Sequence, residues 1–226
     1  MEMRGYLQDS RSPRYSILLA LPLLLAYEGL SLALAGDGAG IRNGADVLIK
    51  WLFVSLGGRN GLLVFNLVLI AVAGALVIGD LRKSGSRLRM EVFAAMLLEA
   101  ALLALVVGTV VGRATQALLP GLSMGPAGEM PVATRLMLSL GAGLYEELVF
   151  RVLLVGALAA LGTRVFAWNR TSAGVVACIA GALLFSAFHY VGVYGDPWEV
   201  ESFTFRFLAG LLFSGLYLVR GFGITA

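Results

Sequence analysis

The chain has 226 residues, of which 59% are hydrophobic and 14% charged, and its formal net charge is +3. Soluble domains carry about 25% charged residues, so this composition excludes a water-soluble globular protein and indicates one domain in a lipid bilayer. The basic residues lie in loops between apolar stretches, where membrane proteins carry orientation signals, and they do not indicate a nucleic-acid partner. The single cysteine, Cys178, excludes an internal disulfide.

Six segments are apolar and long enough for transmembrane helices, which need about 20 residues. They cover residues 15–35, 61–80, 92–112, 132–155, 172–191 and 203–220. The sequence therefore predicts an all-α polytopic bundle of about six spans, the fourth of which can extend toward Thr163.

Two segments that connect the predicted spans have distinct sequence patterns. Residues 43–57 are too short and too charged to cross a bilayer easily and predict an interfacial helix, in which Asp46 and Lys50 lie four residues apart. The Gly- and Pro-rich stretch 120–131 predicts a loop.

Basic residues concentrate at alternate ends of the predicted spans. Ten lie at the ends that include both termini: Arg4, Arg11, Arg14, Arg82, Lys83, Arg87, Arg89, Arg164, Arg170 and Arg220. Five lie at the opposite ends: Arg42, Lys50, Arg59, Arg113 and Arg135. The positive-inside rule then predicts that both termini lie in the cytoplasm, and an even number of spans agrees. The membrane we expect for this integral protein is the bacterial inner (cytoplasmic) membrane.

Three ionisable residues, Glu146, Glu147 and Arg151, lie inside the fourth apolar segment. Charged groups are costly in hydrocarbon, so they usually face a protein interior or a wet cavity and are usually functional. In an α-helix Glu147 and Arg151 share a face and can pair. Glu146 is rotated about 100° from Glu147. It is expected to be buried without a partner in its own helix, and a carboxylate in such surroundings is suited to work as a general base.

The only histidine, His189, ends the fifth apolar segment. If the fourth and fifth spans form an antiparallel hairpin about the polar turn 164–170, position 146 lies level with position 188 or 189, each about 27 Å from the turn. Small residues on both helices would allow close approach. A carboxylate and an imidazole could then hold a water molecule between them, and attack of that water on a peptide carbonyl would be hydrolysis.

Other interpretations of these residues stay open. The acidic pair and the arginine can form a buried ion-pair network that fixes helix packing, and His189 can be an ordinary core histidine. A zinc site would need Glu146, Glu147 and His189 together, because there is no second histidine, so we predict no metal and no cofactor. The patterns of serine and aspartyl membrane proteases are absent. The other embedded charges predict interhelical partners or residues near span ends: Glu28, Glu99 and Arg206.

Three motifs together resemble a known family. Glu146-Glu147-Leu-Val-Phe-Arg151, then Phe185-Ser-Ala-Phe-His189, then Phe207-Leu-Ala-Gly210 with Gly215-Leu-Tyr217, resemble successive motifs of the CAAX-protease and bacteriocin-processing (abortive-infection, CPBP) family of glutamic intramembrane endopeptidases. The resemblance covers residues 132–226 and sets this core apart from residues 1–131, which would hold three spans and the interfacial segment.

The resemblance implies a role for each motif residue. Glu146 would activate the water, His189 would help hold it, and Glu147 and Arg151 would orient Glu146 and its helix. The implied partners are the lipid bilayer and a peptide or membrane-protein substrate, which in eukaryotic members is a prenylated C-terminal peptide.

The sequence departs from the family pattern in one place. The family has a further motif, a second histidine followed one turn later by Asn or Asp and thought to stabilise the oxyanion, and none occurs between His189 and Ala226. Either the chain as given ends short of this motif, so that at least one more span follows, or it is a natural variant. The second case predicts a catalytically silent member that acts as a structural subunit or scaffold among other membrane subunits. A transporter is a third hypothesis, although no inverted repeat is visible.

Overall fold

In a computed structural model, which describes residues 3–35, 42–85, 88–120, 130–192 and 195–226, all regular elements of the described ranges are helices. In chain order they are α1 Met3–Ser10, α2 Pro13–Ala33, α3 Gly44–Gly57, a 3₁₀ turn Gly58–Asn60, α4 Gly61–Ser84, α5 Met90–Leu118, α6 Val132–Gly141, a π helix Ala142–Val155, α7 Gly156–Arg164, α8 Arg170–Phe188, α9 Val200–Arg220 and α10 Phe222–Thr225. The predicted all-α membrane bundle is confirmed.

Five helical segments of the described chain are long and apolar enough to cross a membrane: α2, the run Gly44–Ser84, α5, α8 and α9. Their outer faces carry large apolar side chains such as Leu32, Ile70 and Leu105, which are 72%, 68% and 71% exposed. Soluble monomers rarely expose continuous apolar surface of this kind. These faces therefore lie against lipid, and the protein is an integral membrane protein.

The fourth predicted span lies in a continuous helical run from Val132 to Arg164, formed by α6, the π helix and α7. It extends past residue 155, as the sequence indicates. This run is not among the five apolar segments, so the count of six spans stays a prediction. Of the predicted loop 120–131, residues 121–129 lie outside the described residues.

The segment predicted as an interfacial helix forms α3 and folds back on α4. The predicted pair is confirmed, because Lys50 Nζ lies 2.7 Å from Asp46 Oδ1. After α3 the chain turns sharply at Gly58, whose φ of +55° is one that glycine adopts readily and other residues rarely do. A Cβ on Gly61 would lie 2.4 Å from the carbonyl oxygen of Phe53. This tight turn allows α3 to pack on α4 while its N-terminus lies beside the π helix.

The π helix and α7 form an antiparallel hairpin with α8. A Cβ on Gly162 would lie 2.9 Å from Ala173 Cβ, and a Cβ on Gly181 would lie 2.4 Å from Val155 Cγ2. Farther from the turn, the rings of Phe150 and Phe185 pack edge to face with centroids 5.1 Å apart. These contacts confirm the predicted hairpin and set its register.

The start of α2, the end of α4, the start of α5 and the end of α9 meet at one end of the bundle. Arg14 Nε lies 3.4 Å from Asp80 Oδ2, and the Arg89 N–H donates to Tyr15 Oη at 2.8 Å. At the same end Arg220, the last residue of α9, donates to Glu99 of α5. One end of the molecule therefore gathers ends that the sequence marks as basic.

The predicted roles of the other embedded charges are confirmed. Glu28 pairs with Lys50 at 2.8 Å, Glu99 pairs with Arg220 at 2.6 Å, and Arg206 pairs with Asp196. The division at residue 131 stays a prediction, and the two parts pack together through α2 with α6 and α5 with α9.

Candidate active site

The π helix carries all three ionisable residues of the fourth segment. Its i→i+5 pattern is visible at its end, where the Gly156 N–H donates to the Arg151 carbonyl. Proteins use this geometry rarely, and frequently at functional sites. The sequence predicts a helix here but not its π form, so the expected 100° rotation between Glu146 and Glu147, which assumes an α-helix, does not describe this segment.

Glu147 and Arg151 form the predicted ion pair. Arg151 Nη1 lies 3.3 Å from Glu147 Oε1, and the two side chains are 1% and 6% exposed. The guanidinium also lies over the rings of Phe185 and Phe213, 4.3 Å and 5.6 Å from their centroids. A buried guanidinium stacked on two rings and paired with one carboxylate ties the π helix to α8 and α9.

Glu146 is only partly buried, and its partner comes from another helix. Its Oε1 accepts a hydrogen bond of 2.6 Å from Nδ2 of Asn43, the residue that caps α3. The expectation that Glu146 has no partner within its own helix agrees with this geometry. The expectation that Glu146 is buried is met only in part, since it is half-buried whereas Glu147 is 5% exposed.

Asn43 is held by two further hydrogen bonds. Its Oδ1 accepts from the Ala45 N–H at 2.9 Å, and its backbone N–H donates to Tyr27 Oη at 3.3 Å. Because Oδ1 serves as an acceptor, the amide nitrogen must be the atom that faces Glu146. The side chain can therefore present only a donor to that carboxylate.

A polar network behind Asn43 joins α2, α3 and the π helix. Asp46, which is 0% exposed, accepts from Tyr27 Oη at 2.7 Å and from Arg42 at 2.8 Å. Arg42 also donates to Glu28 at 3.1 Å, and Tyr145 Oη donates to the same carboxylate at 3.2 Å. Burial alone would lower the pKa of Arg42, but its hydrogen bonds to Asp46 and Glu28 outweigh burial and raise that pKa. The guanidinium stays charged and anchors the start of α3.

His189 follows the last residue of α8, and its ring is fixed by a backbone contact. Nδ1 lies 2.9 Å from the carbonyl oxygen of Phe185. A carbonyl can only accept, so Nδ1 carries a proton, and in the neutral ring Nε2 is left as an acceptor. The ring also packs edge to face on Phe185, and the His189 carbonyl accepts from the Asp196 N–H at 2.8 Å.

The hairpin register brings Glu146 and His189 to the same level. Phe150 packs on Phe185. Position 146 lies four residues before Phe150 and position 189 lies four residues after Phe185, so an antiparallel hairpin brings these two positions to one level. The start of α3 contacts both helices of the hairpin. Asn43 binds Glu146 of the π helix, and a Cβ on Gly44 would lie 3.8 Å from the ring of Phe188 in α8. Within the described ranges, no hydrogen bond joins Glu146 directly to His189.

The sequence did not identify Asn43 as a site residue. Asn followed by Gly at the start of a helical segment is a recognisable N-cap signal. Its contact with Glu146 spans 103 positions along the chain, and no local pattern indicates it. In the described part of the chain, no group of three or more His, Cys, Asp or Glu residues is placed to hold a metal ion.

Comparison with known proteins gives one match. A family model described as Rce1-like, type II CAAX prenyl endopeptidase Rce1-like, matches residues 128–225. No curated protein and no solved structure matches the chain. The matched region contains the π helix with Glu146, Glu147 and Arg151, and also His189 at the end of α8. This match agrees with the resemblance of the motifs and makes residues 128–225 similar to the Rce1-like CAAX prenyl endopeptidases.

Proposed function

We propose that this protein is an intramembrane endopeptidase in which Glu146 activates a water molecule. Glu146 is the partly accessible carboxylate of the π helix, and it lies level with the histidine whose Nδ1 proton is already committed to a backbone carbonyl. That level match, built from the hairpin contacts, is the observation that carries the proposal. Glu147 is a weaker candidate because it is 5% exposed and paired with Arg151.

The chemistry follows from these two groups. A water molecule that donates one hydrogen bond to Glu146 and another to Nε2 of His189 would be oriented by both. Glu146 takes a proton from the water as the water oxygen bonds to the scissile carbonyl carbon. The same proton then passes to the amide nitrogen as the C–N bond breaks. The products are a carboxyl end and an amine end, and the carboxylate is regenerated.

Glu147 and Arg151 hold the geometry rather than react. Their ion pair and the stacking of Arg151 on Phe185 fix the π helix against α8, which carries His189 at its end. Catalytic groups need such support, because a misplacement of about 1 Å can cost two orders of magnitude in rate.

The substrate we propose is a peptide or membrane protein that reaches the site from the bilayer. Prenylated C-terminal peptides are the class named by the family description. A fluorogenic peptide ending in a farnesylated Cys-aliphatic-aliphatic-X sequence, and the same peptide without the farnesyl group, are therefore suitable probes. Preference for the first would assign this chain a lipidated substrate.

The decisive experiment measures cleavage of both probes by the purified protein in lipid vesicles. Glu146→Gln and His189→Ala should each abolish cleavage while the protein still inserts and folds, because each removes one of the two groups that hold the water. Glu91→Gln, the same change at an exposed position of α5, is the matched control and should be fully active. Activity should also resist a chelating agent.

Two results would contradict the proposal. If Glu146→Gln cleaves as fast as the unmodified protein, the carboxylate is not the base. If the folded, unmodified protein cleaves neither probe but copurifies with other membrane proteins, the scaffold hypothesis is favoured.

A further inference from the structure

We propose that Asn43 is a positioning residue for Glu146, so that the start of α3 is part of the site although it lies outside the matched region 128–225. The proposal rests on the proposed function for its catalytic consequence. Its physical core is that one amide N–H, aimed by the fold, holds one carboxyl oxygen of Glu146 and so fixes where its second oxygen points.

The orientation of the Asn43 amide determines which of its atoms faces Glu146. The Ala45 N–H occupies Oδ1 at 2.9 Å, and Nδ2 then meets Glu146 Oε1 at 2.6 Å. A hydrogen bond this short between an amide donor and a carboxylate is charge-assisted, and such bonds are about twice as strong as neutral ones. With Oε1 engaged, Oε2 is the oxygen that can take a proton.

The surroundings of Asn43 are closely packed. A Cβ on Gly141 would lie 2.7 Å from Asn43 Cβ and 2.7 Å from Tyr27 Cε2, so the end of α6 touches both residues directly. Tyr27 Oη in turn accepts from the Asn43 N–H and donates to Asp46. The donor is therefore held by contacts with α2, α3 and α6.

Two other ionisable groups of the described chain interact electrostatically with Glu146 and must be held constant in a test. They are Glu147 and Arg151, on the same π helix. Variants of Asn43 leave both in place.

The test uses two variants of Asn43 and a matched cap elsewhere. Asn43→Asp keeps the size and the capping oxygen but replaces the donor with a charged acceptor. Asn43→Ser keeps a capping oxygen and adds no charge. Asn169 caps α8 in the same way, accepting from the Ser172 N–H at 2.8 Å, so Asn169→Asp and Asn169→Ser control for capping and for charge.

The primary readout is the infrared absorption of the Glu146 carboxyl group itself. The Glu146 carboxyl bands are those that disappear in Glu146→Gln. Asn43→Ser removes the charge-assisted hydrogen bond to this group, so it should shift the frequency of these bands. Asn43→Asp should shift them too, and neither Asn169 variant should.

The catalytic readout is the separate effect on kcat and on KM for the farnesylated probe. Both Asn43 variants should lower kcat by roughly tenfold or more and change KM little, with thermal stability equal to that of the Asn169 variants. A merely structural cap would change stability and leave the Glu146 bands alone.

The outcomes separate this inference from the proposed function. Unshifted Glu146 bands in Asn43→Ser overturn the inference, even if Asn43→Asp shifts them, since charge alone would then explain the aspartate. Shifted bands in a protein whose cleavage survives Glu146→Gln support the hydrogen bond and overturn the proposed function instead.

Discussion

At the scale of residues, Glu147 and Arg151 depend on each other. Both are almost completely buried, and the distance between Arg151 Nη1 and Glu147 Oε1 is 3.3 Å. Taking two charges out of water costs more than an ordinary pair returns, so a buried pair is weak evidence for stability. Removal of one partner is different, because it leaves the other charge buried and alone.

The two single substitutions of this pair should therefore together cost more stability than the double substitution. Glu147→Ala and Arg151→Ala should each lower the free energy of unfolding by about 3–5 kcal/mol and also lower cleavage. The double variant should lose clearly less than the sum of the two. Unfolding in detergent micelles, measured over the full double-mutant cycle, gives the coupling energy.

The more exposed pair Arg206–Asp196 provides the control cycle. Its side chains are 23% and 51% exposed, and exposed pairs contribute about 1 kcal/mol or less. If the losses in unfolding free energy at Glu147 and Arg151 are additive and equal to those of the control pair, the two residues do not act as a unit.

At the scale of elements, the contact between α6 and α3 decides how close Asn43 comes to Glu146. Gly141 ends α6 directly before the π helix, and its missing side chain is where Asn43 Cβ and the Tyr27 ring lie. Neither of these groups is the far end of a flexible chain. The approach of the two helices therefore depends on a glycine at this position.

Gly141→Ala should separate α3 from the π helix. The added methyl group would lie 2.7 Å from Asn43 Cβ, and overpacking of this kind typically costs about 1–3 kcal/mol. We expect a lower unfolding temperature and slower cleavage of the farnesylated probe. Gly74→Ala on α4 is the control, because a Cβ there meets nothing within 4 Å and removes the helix penalty of glycine. A Gly141→Ala protein as active and stable as the control would contradict the close contact.

The sequence predicts the helical hairpin but neither the π helix nor the contact made by Asn43. Residue counting about the turn at 164–170 predicted the hairpin register that Phe150 and Phe185 confirm, because an antiparallel helical hairpin has few degrees of freedom. The π form of residues 142–155 was not predictable, since the same residues satisfy i→i+4 and i→i+5 bonds and packing selects between them. Asn43 was missed for a related reason: its partner lies in a distant helix.

At the scale of the whole molecule, the ends of four helices meet on one face, and their charges predict which side of the membrane that face occupies. The first residues of α2, the last of α4, the first of α5 and the last of α9 are joined there by Arg14, Asp80, Arg89 and Arg220. Along the sequence, the segments that flank these four helix ends hold eight of the 17 Lys and Arg residues of the chain. The positive-inside rule then predicts that the face is cytoplasmic.

Single cysteines can test this orientation, because Cys178 is the only native one and Cys178→Ser provides a clean background. We choose four exposed, uncharged positions: Gln8, Asn60, Leu88 and Trp198. Gln8→Cys and Leu88→Cys should react with a membrane-impermeant maleimide in inverted vesicles, where the cytoplasmic face is outside. Asn60→Cys and Trp198→Cys should react in right-side-out vesicles, since they lie at the opposite ends of α4 and α9. The reverse pattern would show that the charge rule fails for this protein, whereas labelling of Gln8→Cys and Leu88→Cys from different sides would contradict the packing of α2 beside α5.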